Sequence, residues 1–197
     1  MNLAELVAEV YSITGRPDLV SLTSSAIRAA TLKLHQSDFW YKDIFETGVS
    51  FSTSEYRQQF VYRDLIPLWR AVKYLRKYDA VGQTEGEFIT GPIAPSEVID
   101  EFGLSREDIF YIAGAEVDIR SSTQEQYYLL GCYVNPNITD SGFSSWIAIE
   151  HPYAIVYDAA ARVFKSIGKD DEASAMREEV KAQLEMITMD SVQPEGY

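Results

Sequence analysis

The sequence predicts an α+β fold, a helical bundle formed by the N- and C-terminal helices with an inserted antiparallel β region. Apolar residues recur at helical spacing near both ends of the 197-residue chain, and aromatic and β-branched residues alternate in its middle. Each amphipathic helix needs a partner for its apolar stripe, and one shared bundle provides it. We therefore expect residues 1–40 and 145–190 to form the bundle, residues 41–144 the β region, and residues 191–197 a tail.

Two helices are expected at the start of the chain. The first has an apolar stripe made of Leu3, Leu6, Val7, Val10 and Tyr11. Gly15 is its expected C-cap, because glycine adopts the left-handed conformation that ends many helices. The second helix is expected over residues 22–35, with Ser21 or Thr23 as its N-cap.

The middle of the chain is expected to form strands separated by turns. The expected strands cover residues 44–51, 56–62, 69–78, 109–113, 115–120 and 127–134. The strands over residues 109–113 and 115–120 are expected to form a hairpin whose turn contains Gly114. Residues 82–95 are rich in glycine and proline and are expected to be a loop, followed by a short helical turn over residues 96–101.

Two further helices are expected near the end of the chain. Pro152 is tolerated in the first turn of one of them, and Gly168 ends it. Asp158 and Arg162 are expected to form a favourable pair, since they lie four residues apart on this helix. The next helix opens with the acidic residues 170–172, which complement the positive end of the helix dipole.

Charge and hydropathy exclude several functional classes. The chain has 17 basic and 30 acidic residues, so its formal net charge is −13. Such a surface repels phosphate, which argues against non-specific nucleic-acid binding and against binding to anionic membranes. No apolar run reaches the roughly 20 residues that a membrane-spanning helix needs.

The sequence contains no catalytic or metal-binding motif, so we expect neither an enzyme nor a cofactor. His35 is expected to stabilise a helix end rather than to bind metal, and His151 to precede a helix at Pro152. Neither histidine lies at a spacing from another residue that is typical of a metal site or an acid–base pair. Cys132, the single cysteine, lies in an apolar strand and is expected to be a small buried side chain.

Aromatic residues give the strongest positive signal. The chain has 13 tyrosines, 9 phenylalanines and 3 tryptophans, many of them in the β region. Tyrosine is enriched at interfaces because it buries apolar area and keeps a polar tip. The predicted contact residues are Tyr56, Tyr62, Tyr74, Tyr78, Tyr111 and Tyr127.

Several blocks of the sequence, in the same order and spacing, resemble the head-to-tail adaptor (connector) proteins of tailed bacteriophages. These blocks are residues 10–19, 26–35, 110–114 and 127–136, and above all 145–148, 151–156 and 159–168. The likeness spans nearly the whole chain. The loop over residues 80–95 fits the family pattern less well.

The resemblance implies a structural virion protein that acts in tail assembly and DNA ejection. It would form a dodecameric homo-oligomeric ring that binds the portal protein and supports the tail nozzle or tube. Genomic DNA would pass through its channel without specific binding. The protein would be made in the host cytoplasm and located in the virion at the head–tail interface.

The resemblance also implies which parts make contacts. The helical bundle and C-terminal segment of the family contact the portal, and the β part contacts neighbouring adaptors and tail proteins. By this analogy the portal-docking residues are Ser191, Val192, Gln193, Pro194, Glu195, Gly196 and Tyr197. Such a tail would become ordered on docking.

Two other interpretations remain open. An acidic binding module, a DNA mimic that occupies a basic protein site, would explain the charge but not the helix–β–helix order. A small hydrolase that uses an acid pair from the β region is the third interpretation. A pull-down against a basic nuclease would test the DNA-mimic interpretation, and a peptidoglycan turbidity assay would test the hydrolase interpretation.

Overall fold

The fold is α+β, as the sequence predicts. The computed structural model describes residues 1–50, 56–78, 86–99, 103–122 and 127–191. Within these ranges it contains six α-helices and seven β-strands. The chain divides into two compact units, a helical unit of Met1–Asp43 with Asn135–Tyr197 and a sheet unit of Ile44–Val134.

The helical unit is built from sequence-distant helices at both ends of the chain. In its described part the helices are α1 (Leu3–Thr14), α2 (Val20–Gln36), α4 (Trp146–Glu150), α5 (Pro152–Ser166) and α6 (Asp170–Ser191). The short helix α3 (Tyr62–Leu65) belongs to the sheet unit. Helix α5 contacts all four other helices of its unit.

One apolar cluster joins the N-terminal and C-terminal helices. Leu6 of α1, Ile27 of α2, Ile155 of α5 and Ile187 of α6 are fully buried within it. Burial of a side chain of this size stabilises a fold by roughly 1.5–3 kcal/mol. Each of these residues lies in the apolar stripe that the sequence pattern indicated for its helix.

The helix ends show how local sequence sets the boundaries. Gly15 has φ 64° and donates its N–H to Tyr11, which confirms the predicted C-cap. The predicted N-cap at Ser21 or Thr23 is wrong. Helix α2 begins at Val20, because the Leu19 carbonyl already accepts the N–H of Thr23 at 2.9 Å, and the Leu19 side chain has no acceptor that could cap the helix.

The sheet unit contains a seven-stranded sheet. Its strands are β1 (Ile44–Ser50), β2 (Arg57–Val61), β3 (Trp69–Tyr78), β4 (Glu87–Ile93), β5 (Ile109–Ala113), β6 (Glu116–Arg120) and β7 (Tyr127–Val134). Their order is β1-β7-β3-β4-β5-β6-β2, and the sheet curls into a half-barrel. The hairpin β5–β6 and the strand β7 confirm the sequence prediction.

The prediction of a purely antiparallel sheet is wrong, because β4 and β5 are parallel and the sheet is mixed. The connection between Ile93 and Ile109 is long enough to return the chain to the starting end of β4, as a parallel pair requires. It contains a 3-10 turn at Pro95–Glu97, where a helical turn over residues 96–101 was expected. Residues 100–102 lie outside the described part of the chain.

The predicted loop over residues 82–95 is also wrong in its second half, which forms β4. Gly91 and Pro92 suggested a loop, but they lie where the β4–β5 pairing shifts register between Thr90 and Ile93. A proline without an N–H group is tolerated at such an irregularity. Residues 79–85 lie outside the described residues.

The inner side of the sheet carries the core of this unit. Leu75, Phe110, Ile119, Tyr128 and Leu130 are fully buried in one apolar cluster. Since side chains alternate along a strand, the neighbours of these residues lie on the opposite side of the sheet.

Candidate interaction surface

The outer side of β3 and β4 carries an exposed group of aromatic rings and an arginine. The Tyr74 and Phe88 rings meet edge to face with centroids 5.7 Å apart. The Arg76 guanidinium lies 4.3 Å from the Phe88 centroid and 5.1 Å from that of Tyr74. We call these three residues, with Glu46 and Tyr127 beside them, the aromatic face.

Strand register assembles the aromatic face. Arg76 pairs directly with Phe88 across β3 and β4, and Tyr74 lies two residues earlier on the same side of β3. The Tyr74 hydroxyl donates to the Glu46 carboxylate on β1. A cation over an aromatic face is favourable by about 0.5–1 kcal/mol at an exposed site.

Two glycines, which have no side chains, leave space on the sheet for the tyrosine side chains. The Tyr74 ring occupies the space that a Cβ on Gly131 would need, and the Tyr127 hydroxyl does the same at Gly48. Covering a strand glycine with an aromatic ring replaces the packing that its missing side chain cannot provide. The glycines therefore fix where the tyrosines lie.

Phe88 is the most exposed ring of the aromatic face, with 63% of its surface accessible. Tyrosine, phenylalanine and arginine are the residue types enriched in the cores of protein interfaces. The arrangement is able to bury apolar area against a partner while Arg76 and Glu46 supply charged groups.

The structure places the six predicted contact tyrosines in different environments. Tyr74 and Tyr127 are half-buried on the aromatic face, and Tyr56 is exposed just before β2. Tyr62, Tyr78 and Tyr111 are buried within the sheet unit. Their contact role stays a prediction, and Tyr56, Tyr74 and Tyr127 present the most surface for it.

The predicted portal-docking segment begins at the last described residue. Ser191 ends α6. The other predicted docking residues, 192–197, lie outside the described residues, so their role stays a prediction.

The helical unit contains a buried polar chain that the sequence did not indicate. The His35 Nδ1 lies 2.7 Å from the Asp43 Oδ1, and its Nε2 lies 2.8 Å from the Ser145 Oγ. Trp146 donates its indole N–H to the same Asp43 oxygen at 2.8 Å. The expectation that His35 has no acid or hydroxyl partner is wrong, because Asp43 and Ser145 follow 8 and 110 residues later in the chain.

The connectivity of Ser145, His35 and Asp43 is that of a nucleophilic serine site, but the environment differs. These three side chains are only 5%, 2% and 3% exposed, so a substrate has no access to the serine oxygen. That oxygen also accepts the N–H of Ala148 as the N-cap of α4. The chain of hydrogen bonds therefore braces α2 against α4.

Cys132 and His151 are the remaining candidate residues. Burial raises the pKa of the Cys132 thiol to about 11, which keeps it protonated and unreactive at neutral pH. Its predicted burial is confirmed. His151 directly precedes α5, as predicted, and its Nε2 lies 3.3 Å from Asp190.

Two findings concern whole classes of function. Among the described residues, no group of histidine, cysteine or acidic side chains is arranged to hold a metal ion. No helix in that part of the chain combines the length and the apolar character that crossing a membrane requires.

Comparison with family models gives no match, and no curated protein matches the chain.

Proposed function

We propose that the chain is a head-to-tail adaptor of a tailed bacteriophage. In this role twelve copies form a ring on the portal, the ring supports the tail nozzle or tube, and genomic DNA passes through its channel. The order and spacing of the sequence blocks that resemble this family support the proposal. The aromatic face is the single structural observation that carries it, because it offers an assembly surface.

The helical unit is the part we assign to the portal. The terminal helices form the helical bundle of the proposed adaptor, and the fully buried Leu6, Ile155 and Ile187 in one cluster support this assignment. The Ser145–His35–Asp43 chain holds the N-terminal and C-terminal parts of the unit together. A stiff platform of this kind suits a protein that is fixed between two larger assemblies.

We assign the aromatic face to contact with a neighbouring copy in the ring. Phe88, Arg76 and Tyr74 would bury the ring surfaces that are accessible in the isolated chain. Because the chain is strongly acidic, Arg76 would meet carboxylates on almost any surface of its neighbour.

The charge of the chain suits the passage of DNA. Each phosphate contact made by a lysine or arginine adds to the retention of DNA. A net charge of −13 keeps such contacts few. We expect acidic residues to outnumber basic residues on the inner surface of the ring.

The proposal is tested at Phe88. The Phe88→Ser variant should remain folded, because the ring is exposed, but it should lose ring assembly on the cognate portal protein in co-sedimentation. Leu65→Ser is the matched control, since Leu65 is an exposed apolar residue of the sheet unit outside the aromatic face. Equal assembly by Phe88→Ser and wild type would contradict the assignment.

A further inference from the structure

Two adjoining clefts on the sheet unit share the residues Ser105 and Arg120. Their volumes are about 300 and 250 Å³. One is lined by polar and apolar groups alike, and its apolar residues include Pro95, Val98 and Ile99. The other brings together Arg57, Arg106 and Arg120 with one carboxylate, Glu107, and we call the two together the arginine cleft.

The arginines of this cleft are incompletely neutralised. Arg57 donates to Asp118, with Nε 2.8 Å from Oδ2. Arg106 and Arg120 have no carboxylate partner within the described ranges, although acidic residues outnumber basic ones by 30 to 17. Arg120 donates to the Ser105 hydroxyl at 3.2 Å, and its buried Nε has no acceptor.

The strand register places two of these cations side by side. Arg57 of β2 and Arg120 of β6 are directly paired across the antiparallel ladder. Like charges at such a position destabilise a sheet. An oxyanion between their guanidinium groups would reduce this repulsion, since such groups bind carboxylate and phosphate through paired hydrogen bonds.

Backbone pairing holds the third arginine over the cleft. The Arg106 N–H donates to the Val98 carbonyl at 2.9 Å, and Ile99 forms a bridge with Ser105. The side chain of Val98 is buried against Ile109 and Tyr111, whereas Ile99 is 59% exposed. The site therefore joins a fixed basic part to an apolar part that is open to a ligand.

We propose that the arginine cleft binds an acidic and partly apolar peptide segment of a partner protein. A carboxylate of the segment would lie between Arg57, Arg106 and Arg120, and a neighbouring apolar side chain would cover the exposed Ile99. A free phosphate ion would use the basic part and leave the apolar part uncovered. This inference does not depend on the adaptor proposal.

The test is a titration of the full-length ¹⁵N-labelled chain followed by NMR. The probe is acetyl-Glu-Leu-Glu-Leu-amide, the neutral control is acetyl-Gln-Leu-Gln-Leu-amide, and sodium phosphate is the third arm. Saturable shifts of the Ser105, Arg106 and Arg120 amides are expected with the acidic peptide. The neutral peptide should bind at least about tenfold more weakly.

Variants separate the cleft from general electrostatic attraction. Arg120→Met should weaken binding of the acidic peptide about tenfold, and Arg106→Met, at an exposed position, serves if the first variant does not fold. Arg177→Met on α6 is the matched charge control and should bind as wild type does. Unchanged binding by both cleft variants, no saturable shift, or equally tight binding of phosphate alone would overturn the proposal.

Discussion

The His35 Nδ1 lies 2.7 Å from the Asp43 Oδ1, and both side chains are buried. Because the other imidazole nitrogen meets the hydroxyl of Ser145, this pair connects α2 to the start of α4. A carboxylate accepts hydrogen bonds and does not donate them, so the His35 Nδ1–H donates to Asp43. Hydrogen bonds among buried polar groups help to specify one packing of a core.

Removing the imidazole should destabilise the helical unit. His35→Ala removes one hydrogen-bond donor from the buried Asp43 carboxylate, and we expect a loss of about 3 kcal/mol in the free energy of unfolding. Urea unfolding followed by helical circular dichroism measures this loss. His151→Ala is the control, with a clearly smaller expected loss, since its ion-pair partner Asp190 is largely exposed. Equal losses in the two variants would argue against a bracing role for His35.

Asp158 should make the helical unit sensitive to acid. Burial opposes ionisation of this carboxyl, but hydrogen bonds from Lys33 at 2.6 Å and Arg162 at 2.7 Å outweigh it and lower the pKa. A carboxyl with a lowered folded-state pKa stabilises the fold above its unfolded pKa, about 3.9. This stabilisation is lost as the pH falls through the folded-state pKa.

The comparison of wild type with Asp158→Asn isolates this contribution. Wild type should be more stable at about pH 6, and the difference should shrink toward about pH 2. Asp18→Asn is the control, because Asp18 forms its ion pair with Arg16 on the surface and should change stability little. A difference for Asp158→Asn that is the same at both pH values would refute this account.

The Gly131 position should tolerate a side chain only after Tyr74 is removed. Gly131→Ala places a Cβ against the Tyr74 ring, and we expect it to cost about 1–3 kcal/mol of stability. In a Tyr74→Ala background the same change should cost much less, because the space is then open. A double-mutant cycle by urea unfolding measures the coupling, and additive losses would show that the ring does not lie on the glycine.

Periodic patterns account for the parts of the fold that the sequence predicts. The stripes of α1, α5 and α6 follow helical spacing, and Tyr127–Val134 has the bounds expected from its aromatic and β-branched residues. The pair of Asp158 and Arg162 needs only four residues of local sequence, so it was also predicted correctly.

Long-range pairing explains what the sequence does not reveal. The parallel pairing of β4 and β5 depends on where the connection between them returns along the sheet. Gly91 and Pro92 are typical of loops, so the local sequence does not indicate that they belong to a strand. His35 finds its hydroxyl partner 110 residues away. The burial of Tyr62, Tyr78 and Tyr111 follows from their packing within the folded sheet unit, which composition does not encode.

The most direct test of the adaptor proposal is electron microscopy of the full chain mixed with its cognate portal protein. We predict a ring of twelve copies on the portal, with the helical unit against the portal and Phe88 in the contact between neighbouring copies. Particles in which the portal remains bare, or in which the chain binds with another symmetry and leaves Phe88 exposed, would contradict the proposal.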